Sequence, residues 1–140
     1  MKYEIYCNTK SISKNSKLAA DEFIKRLSAY CKVTVKNKKD KLPNINLDKE
    51  GCLLLAINNG PSTLSSEELS TYISDIQLNG ISTVYVAVGY DPEDIKKLTT
   101  DKIKPLSIIN TNLSNETTLI LTLEQIYRAY TIIQGKTYHK

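Results

Sequence analysis

The closing stretch LEQIYRAYTIIQGKTYHK gathers most of the groups able to do chemistry, including the chain's only histidine, His139, set between Tyr138 and Lys140. An imidazole titrates near neutrality, so His139 is a natural proton acceptor if the tail reaches a site. Two readings of the tail stay open. It is either a solvated chain end or a flap whose aromatic and cationic groups fold over an RNA cleft, ring on base and cation on phosphate. Across the whole chain, nineteen lysines and arginines include only two arginines, Arg26 and Arg128. Arg128 stands in an otherwise apolar run, so its charge must reach a cleft, an acid or a phosphate.

Elsewhere the sequence mostly excludes chemistry. Asp91, Glu93 and Asp94 follow an apolar segment and suit a bound cation, acid and base work or, more simply, the first turn of a helix, whose N-terminus favours acids. Cys7, Cys31 and Cys52 are widely spaced in apolar segments, with no CxxC pair, and read as buried reduced thiols rather than metal ligands. No metal site is expected. The segment GYDPED holds one glycine and so is no GxGxxG cradle; neither a GxxxxGK[ST] loop nor a GxSxG elbow occurs.

A length of 140 residues suits one domain with a single core. The net charge of +4 is compatible with a polyanionic partner without requiring one. MKYEIYCN has no apolar signal core and no run reaches a membrane span, so a cytoplasmic protein with no membrane partner is expected.

Such groups need a scaffold, and the pattern supplies one. KYEIYC (2–7) alternates and is rich in β-formers. Residues 17–30 carry Leu18, Ala19, Phe23, Leu27 and Tyr30 at helical spacing and precede a short strand, KVTVK. NKKDKLPNINLDKEG reads as a loop. CLLLAIN (52–58) and STVYVAV (82–88) are continuous apolar runs, as strands buried on both faces require. Between them Ser65 and Glu68 form a capping box that opens a helix to about Leu78, stopped by Gly80. A short helix at 93–99, a strand at 104–110 and a long helix at 117–133 complete the chain. That last helix is apolar almost all round and must be covered from more than one side; a second copy of the chain is the simplest cover, so a homodimer through it is expected. Tyr127 and Tyr130 are expected there as bulky packing aromatics. Alternating β and α elements predict an α/β fold, a mostly parallel sheet with helices on both faces. Ligands then belong beyond the strands' carboxyl ends, in the loops after Asn58, Gly89 and Ile109.

The closing segment, with its EQIYRA helix and YHK end, resembles the C-terminal signature of the ribosomal RNA large subunit methyltransferase H family, a SPOUT-class group. TLSSEEL is similar to the family's SSE helix start, GISTVYVAVG to the strand before its glycine loop, and PLSIINTNLSN to its cofactor loop. The likeness runs from about Leu53 to the end and is looser before it. Residues 36–51 are shorter than the matching family segment. This resemblance implies a SPOUT-type C-terminal trefoil knot, a homodimer, S-adenosyl-L-methionine as cofactor, and methylation of a pseudouridine N3 in a large-subunit rRNA stem-loop on the ribosome. It implies cofactor contacts from Ile57, Gly89, Ile108, Ile109, Asn110, Thr111, Asn112 and Leu113. It also implies catalytic and RNA-binding roles for Arg128, Tyr138 and His139, and RNA binding by Lys140. The family's GGxxG loop reads here Gly89-Tyr90-Asp91-Pro92-Glu93, and its M-T-[FL]-P-H stretch reads Thr111-Asn112-Leu113-Ser114-Asn115. An early helix arginine is Leu119, and a strand-ending acid is Asn58. These changes leave a second reading, a non-catalytic paralogue that binds RNA or regulates as a dimer. The positions of Tyr90 and Leu113 discriminate, since either side chain filling the cofactor space would exclude the enzyme.

Overall fold

The computed structural model describes residues 1–136, so Tyr138, His139 and Lys140 lie outside the described residues. Its elements in chain order are β1 (Lys2–Cys7), α1 (Lys14–Leu27), β2 (Lys32–Asn37), β3 (Cys52–Thr63), α2 (Ser66–Leu78), β4 (Thr83–Val88), α3 (Pro92–Lys96), β5 (Ile103–Ser107) and α4 (Asn115–Ile133). The strands form one sheet in the order β2-β1-β4-β3-β5, and every pairing is parallel. The apolar runs predicted for a sheet covered on both faces therefore occupy its centre. Residues 53, 55 and 57 face one side with 84, 86 and 88, while 52, 54, 56 and 87 face the other.

Connection handedness explains where the helices lie. The β1-α1-β2 and β3-α2-β4 units advance across the sheet in one sense, whereas β4-α3-β5 advances in the opposite sense past β3. Right-handed crossovers then put α1 and α2 on one face and α3 on the other. The larger core joins α1, α2 and α4 to the first face; a smaller one packs Ile95 of α3 and Leu47 of the 38–51 segment on the second. Winding reverses beside β3, β4 and β5, where a crevice is expected at the carboxyl ends.

The capping box forms as read: Ser65 Oγ accepts from the Glu68 N–H, and Glu68 accepts from the Ser65 N–H. Other boundaries move for physical reasons. Helix α1 starts at Lys14 because Ser13 caps it, and it ends at Leu27, three residues before Tyr30. Helix α4 starts at Asn115, two residues early, because Ser114 accepts the Thr117 N–H. Strand β5 stops at Ser107, so 108–110 belong to the following loop, and α3 is the single turn Pro92–Lys96 with Asp91 as its cap. Strand β3 runs on to Thr63, where its edge meets Ser107 again beyond an irregularity after Asn58.

The cover for α4 comes first from its own chain. Thr118, Leu119, Thr122, Leu123, Ile126, Ala129, Tyr130 and Thr131 are buried, and the helix packs against both α1 and α2. Tyr127 and Tyr130 are packing aromatics within the protomer. Tyr130 stacks on Tyr30 and meets Tyr3 edge-on, with a 3.0 Å hydroxyl-hydroxyl hydrogen bond. Burial raises both hydroxyls, Tyr130 to about 12, so neither ionises at neutral pH. Leu119, at the family's arginine position, is wholly buried in this core, which has no place for a guanidinium there.

Leu123 is fully enclosed between the sheet and its neighbouring helices. Leu123→Ala is expected to cost about 2–5 kcal/mol through lost burial and the residual cavity. A fall in the urea midpoint at unchanged slope checks this.

Candidate functional site

At the carboxyl ends of the strands the ladder hydrogen bonds run out, and asparagine side chains take over. The Asn8 N–H donates to Val88 O, and its Nδ2 donates to Gly89 O at 3.0 Å. Asn58 Nδ2 reaches Tyr90 O, and Asn59 Nδ2 reaches Leu113 O. Asn115 Nδ2, at the start of α4, donates to Asn8 O at 2.8 Å. A buried loop carbonyl without a partner is costly, so these amides fix the loops after β1, β3, β4 and β5 relative to one another.

Gly89 is the centre of this clasp. Its φ of +79° is left-handed backbone, and a Cβ there would collide with the side-chain amide of Asn115. The one glycine kept from the expected glycine loop thus admits a neighbour from α4. Tyr90, which follows it, is 1% exposed, turned into the second core beside Tyr6 and Leu54, and its hydroxyl donates to Lys38 O at 2.6 Å. It lines no cavity.

Three cavities open around this end. The largest, 480 Å³, lies between α3 and the β3-β5 edge, with walls from Ala56, Ile95, Ile103, Pro105 and Leu106 and polar groups from Asn58, Ser62 and Ser107. A second of 180 Å³ shares Asn58 and is lined by Asn59, Gly89, Asn112, Leu113, Asn115 and Thr118. A third of 270 Å³ shares Asn59 and Asn112 and adds Gly60, Asn110 and Thr111. Asn58, in the family's acidic position, joins the first two. Its Oδ1 accepts no hydrogen bond among the described residues.

Gly89, Asn110, Thr111, Asn112 and Leu113, expected at a cofactor site, are therefore brought together. Ile57 is not presented by its side chain, which is fully buried in the larger core; its carbonyl accepts the Gly89 N–H. Ile108 packs against that core, and the Ile109 carbonyl accepts the Gly60 N–H. Sequence reasoning missed Ser62, Pro105 and Ser107. The β3 extension carries Ser62 here, and the NNGPST composition disguises it as a turn.

Arg128 is placed elsewhere. Its Nε and Nη2 both donate to Glu124 Oε1, at 3.0 and 2.6 Å, in a pair only 27% and 15% exposed. It lies ten residues beyond Thr118 on α4, about 15 Å along the axis, so it does not reach the cavities of its own protomer. The acids Glu93 and Asp94 pair with Lys96 and Lys97, and no group of three potential metal ligands occurs among the described residues. The thiols are unpaired; burial pushes Cys7 up to about 12 and Cys31 to about 11, so neither supplies a thiolate at neutral pH. No described helix is long and apolar enough to cross a membrane.

The profile of the family described as "Predicted SPOUT methyltransferase" matches residues 1–139. The chain is 31% identical to the ribosomal RNA large subunit methyltransferase H of Clostridium novyi (strain NT) over 159 aligned residues, covering all of both chains. It is 30% identical to ribosomal RNA large subunit methyltransferase H 1 of Thermoanaerobacter sp. (strain X514), again over all of both. Against the protein of that name from Clostridium botulinum (strain Langeland), identity is 32%, covering 89% of this chain and 90% of the other.

Gly89→Ala is expected to destabilise the fold by about 1–3 kcal/mol, from its φ and from the collision with Asn115. In a double-mutant cycle with Asn115→Ala the two costs are expected to be less than additive, because the second change removes the obstacle. Chemical denaturation of the four proteins checks both statements.

Proposed function

This chain belongs to the SPOUT methyltransferases, in the ribosomal RNA large subunit methyltransferase H family, and on that premise we propose that it methylates N3 of a pseudouridine in large-subunit rRNA. The observation that carries the reading is the cavity system at the sheet's reversal point, left open because Tyr90 is packed away from it and Leu113 forms only one wall. A volume of 480 Å³ suits a nucleoside-sized ligand. Ala56, Ile95, Ile103 and Pro105 offer an apolar slot for an adenine ring, while Asn58 Oδ1, Ser62 and Ser107 offer acceptors for ribose hydroxyls. The residues present fit S-adenosyl-L-methionine.

Bound there, that cofactor supplies an electrophilic methyl group on a sulfonium sulfur. The rest falls to the protein. Uracil-type N3 carries a proton that must leave as the N–CH₃ bond forms, and His139 is the chain's one imidazole to accept it at neutral pH. Tyr138 and Lys140 would stack on a base and meet phosphate. Because Arg128 sits about 15 Å along α4 from Thr118, its role and the tail's are best served in a homodimer. There one copy's α4 end completes the partner's cavity. Ile120, Leu121 and the 38% exposed Ile132 leave apolar surface on α4 around the Glu124–Arg128 pair for that contact. The 108–114 loop lies against the β3 extension through Gly60 N–H to Ile109 O and Asn59 Nδ2 to Leu113 O, a contact that supports the trefoil-knot reading. One domain acting on ribosomes in the cytoplasm completes the reading. The non-catalytic alternative has no filled cavity to favour it.

Calorimetric titration is expected to give one S-adenosylhomocysteine site per chain at micromolar affinity, weakened about tenfold in Asn58→Ala by loss of an acceptor. Absence of heat at millimolar ligand would overturn the enzyme reading. His139→Ala is expected to lower transfer of labelled methyl to large ribosomal subunits by about 10²-fold or more with an unchanged melting temperature. Undiminished transfer would remove His139 from the mechanism.

A further inference from the structure

Positive charge on this protein is concentrated in two short loops. Residues 8–14, after β1, and 36–41, at the end of β2, carry Lys10, Lys14, Lys36, Lys38, Lys39 and Lys41 against the single acid Asp40. That local excess is larger than the +4 of the whole chain, so the remaining surface is close to neutral. All six side chains are exposed, and no carboxylate lies within ion-pairing distance of them among the described residues. Several lysines elsewhere are engaged. Lys17, Lys96 and Lys97 pair with acids, Lys102 donates to the Leu47 and Lys49 carbonyls, and Lys104 lies over the Tyr72 ring.

The two loops are built onto the wall of the candidate site. The Lys38 N–H donates to Cys7 O, the Asp40 N–H to Asn8 Oδ1 at 2.6 Å, and Tyr90 OH to Lys38 O. Asn8, which receives the lysine loop, also holds Gly89 and is held by Asn115. Asp40 adopts φ +63° to make its turn, so the segment is shaped rather than slack. Glu116, the acid at the start of α4, accepts the Ser13 N–H.

We propose that the lysine-bearing loops 8–14 and 36–41 form the RNA-backbone docking surface of this protein, a positive shelf beside the cavity of the same protomer that holds the phosphates flanking the target nucleotide. The inference rests on the methyltransferase reading for its choice of RNA. Flexible ammonium groups with no fixed partner suit phosphates spaced along a backbone and carry no sequence preference, so the shelf supplies affinity and register while the target base is selected elsewhere. It also divides the work between copies: one protomer holds cofactor and RNA backbone, and its partner supplies Arg128 and the tail.

The test uses the full-length protein and the variant Lys10→Gln/Lys38→Gln/Lys39→Gln/Lys41→Gln, with a labelled rRNA stem-loop, phosphatidylserine vesicles and S-adenosylhomocysteine as probes. The expected result is an RNA affinity lowered at least tenfold, with the slope of log affinity against log salt shallower by about 3 at ~0.7–0.9 per phosphate contact. Melting temperature and S-adenosylhomocysteine affinity stay unchanged. RNA affinity and salt slope equal to wild type would overturn the proposal, as would loss of vesicle binding with RNA binding intact, which would assign the shelf to a membrane surface. If the wild type binds RNA through these lysines but takes no S-adenosylhomocysteine, the docking surface stands and the methyltransferase reading falls.

Discussion

The contact of Asn115 on Gly89 is the constraint on which the functional end of this molecule depends. One amide joins the start of α4 to the loops after β1 and β4, and it fits only because residue 89 has no Cβ and a left-handed φ. Through Asn8 the same node reaches the lysine loop at Asp40, and Asn59 links Leu113 to the extended β3. Parallel strands leave their terminal carbonyls at one end of the sheet, so some such lacing is required wherever loops there must stay in place. Helix α4 is then anchored at both ends, by this clasp and by the Tyr3–Tyr130 hydroxyl pair near the amino ends of the strands.

The sheet's two faces have separate tasks. Three helices close the first face around the larger core. On the second face the short α3 covers less, and the 480 Å³ cavity remains between it and the β3-β5 edge. The reversed β4-α3-β5 connection thus creates the space that the loops then border.

Much of the scaffold was legible in the sequence because the signals were local. Unbroken apolar runs at 52–57 and 83–88 could only be central parallel strands, and Ser65 with Glu68 announced its helix through one turn of hydrogen bonding. Ser13, with Ser16 three residues on, carried the same kind of signal for α1 and went unread. The all-round apolarity of α4 called correctly for several covers, but periodicity does not say whose; α1 and α2 supply them within the chain. The site was less legible. The partners of Asn115 and Gly89 sit far from them in sequence, and no pattern marks an asparagine that will meet a distant carbonyl. Tyr90 looked like an obstruction in the glycine loop, and its side chain instead finds the opposite core and a carbonyl at Lys38.

The most direct test of this account is an amide chemical-shift titration of the isotopically labelled protein with S-adenosylhomocysteine. The account predicts saturable shifts clustered at residues 56–62, 89–92 and 107–113, the borders of the linked cavities. Shifts confined to other surfaces, or none at saturating ligand, would contradict it.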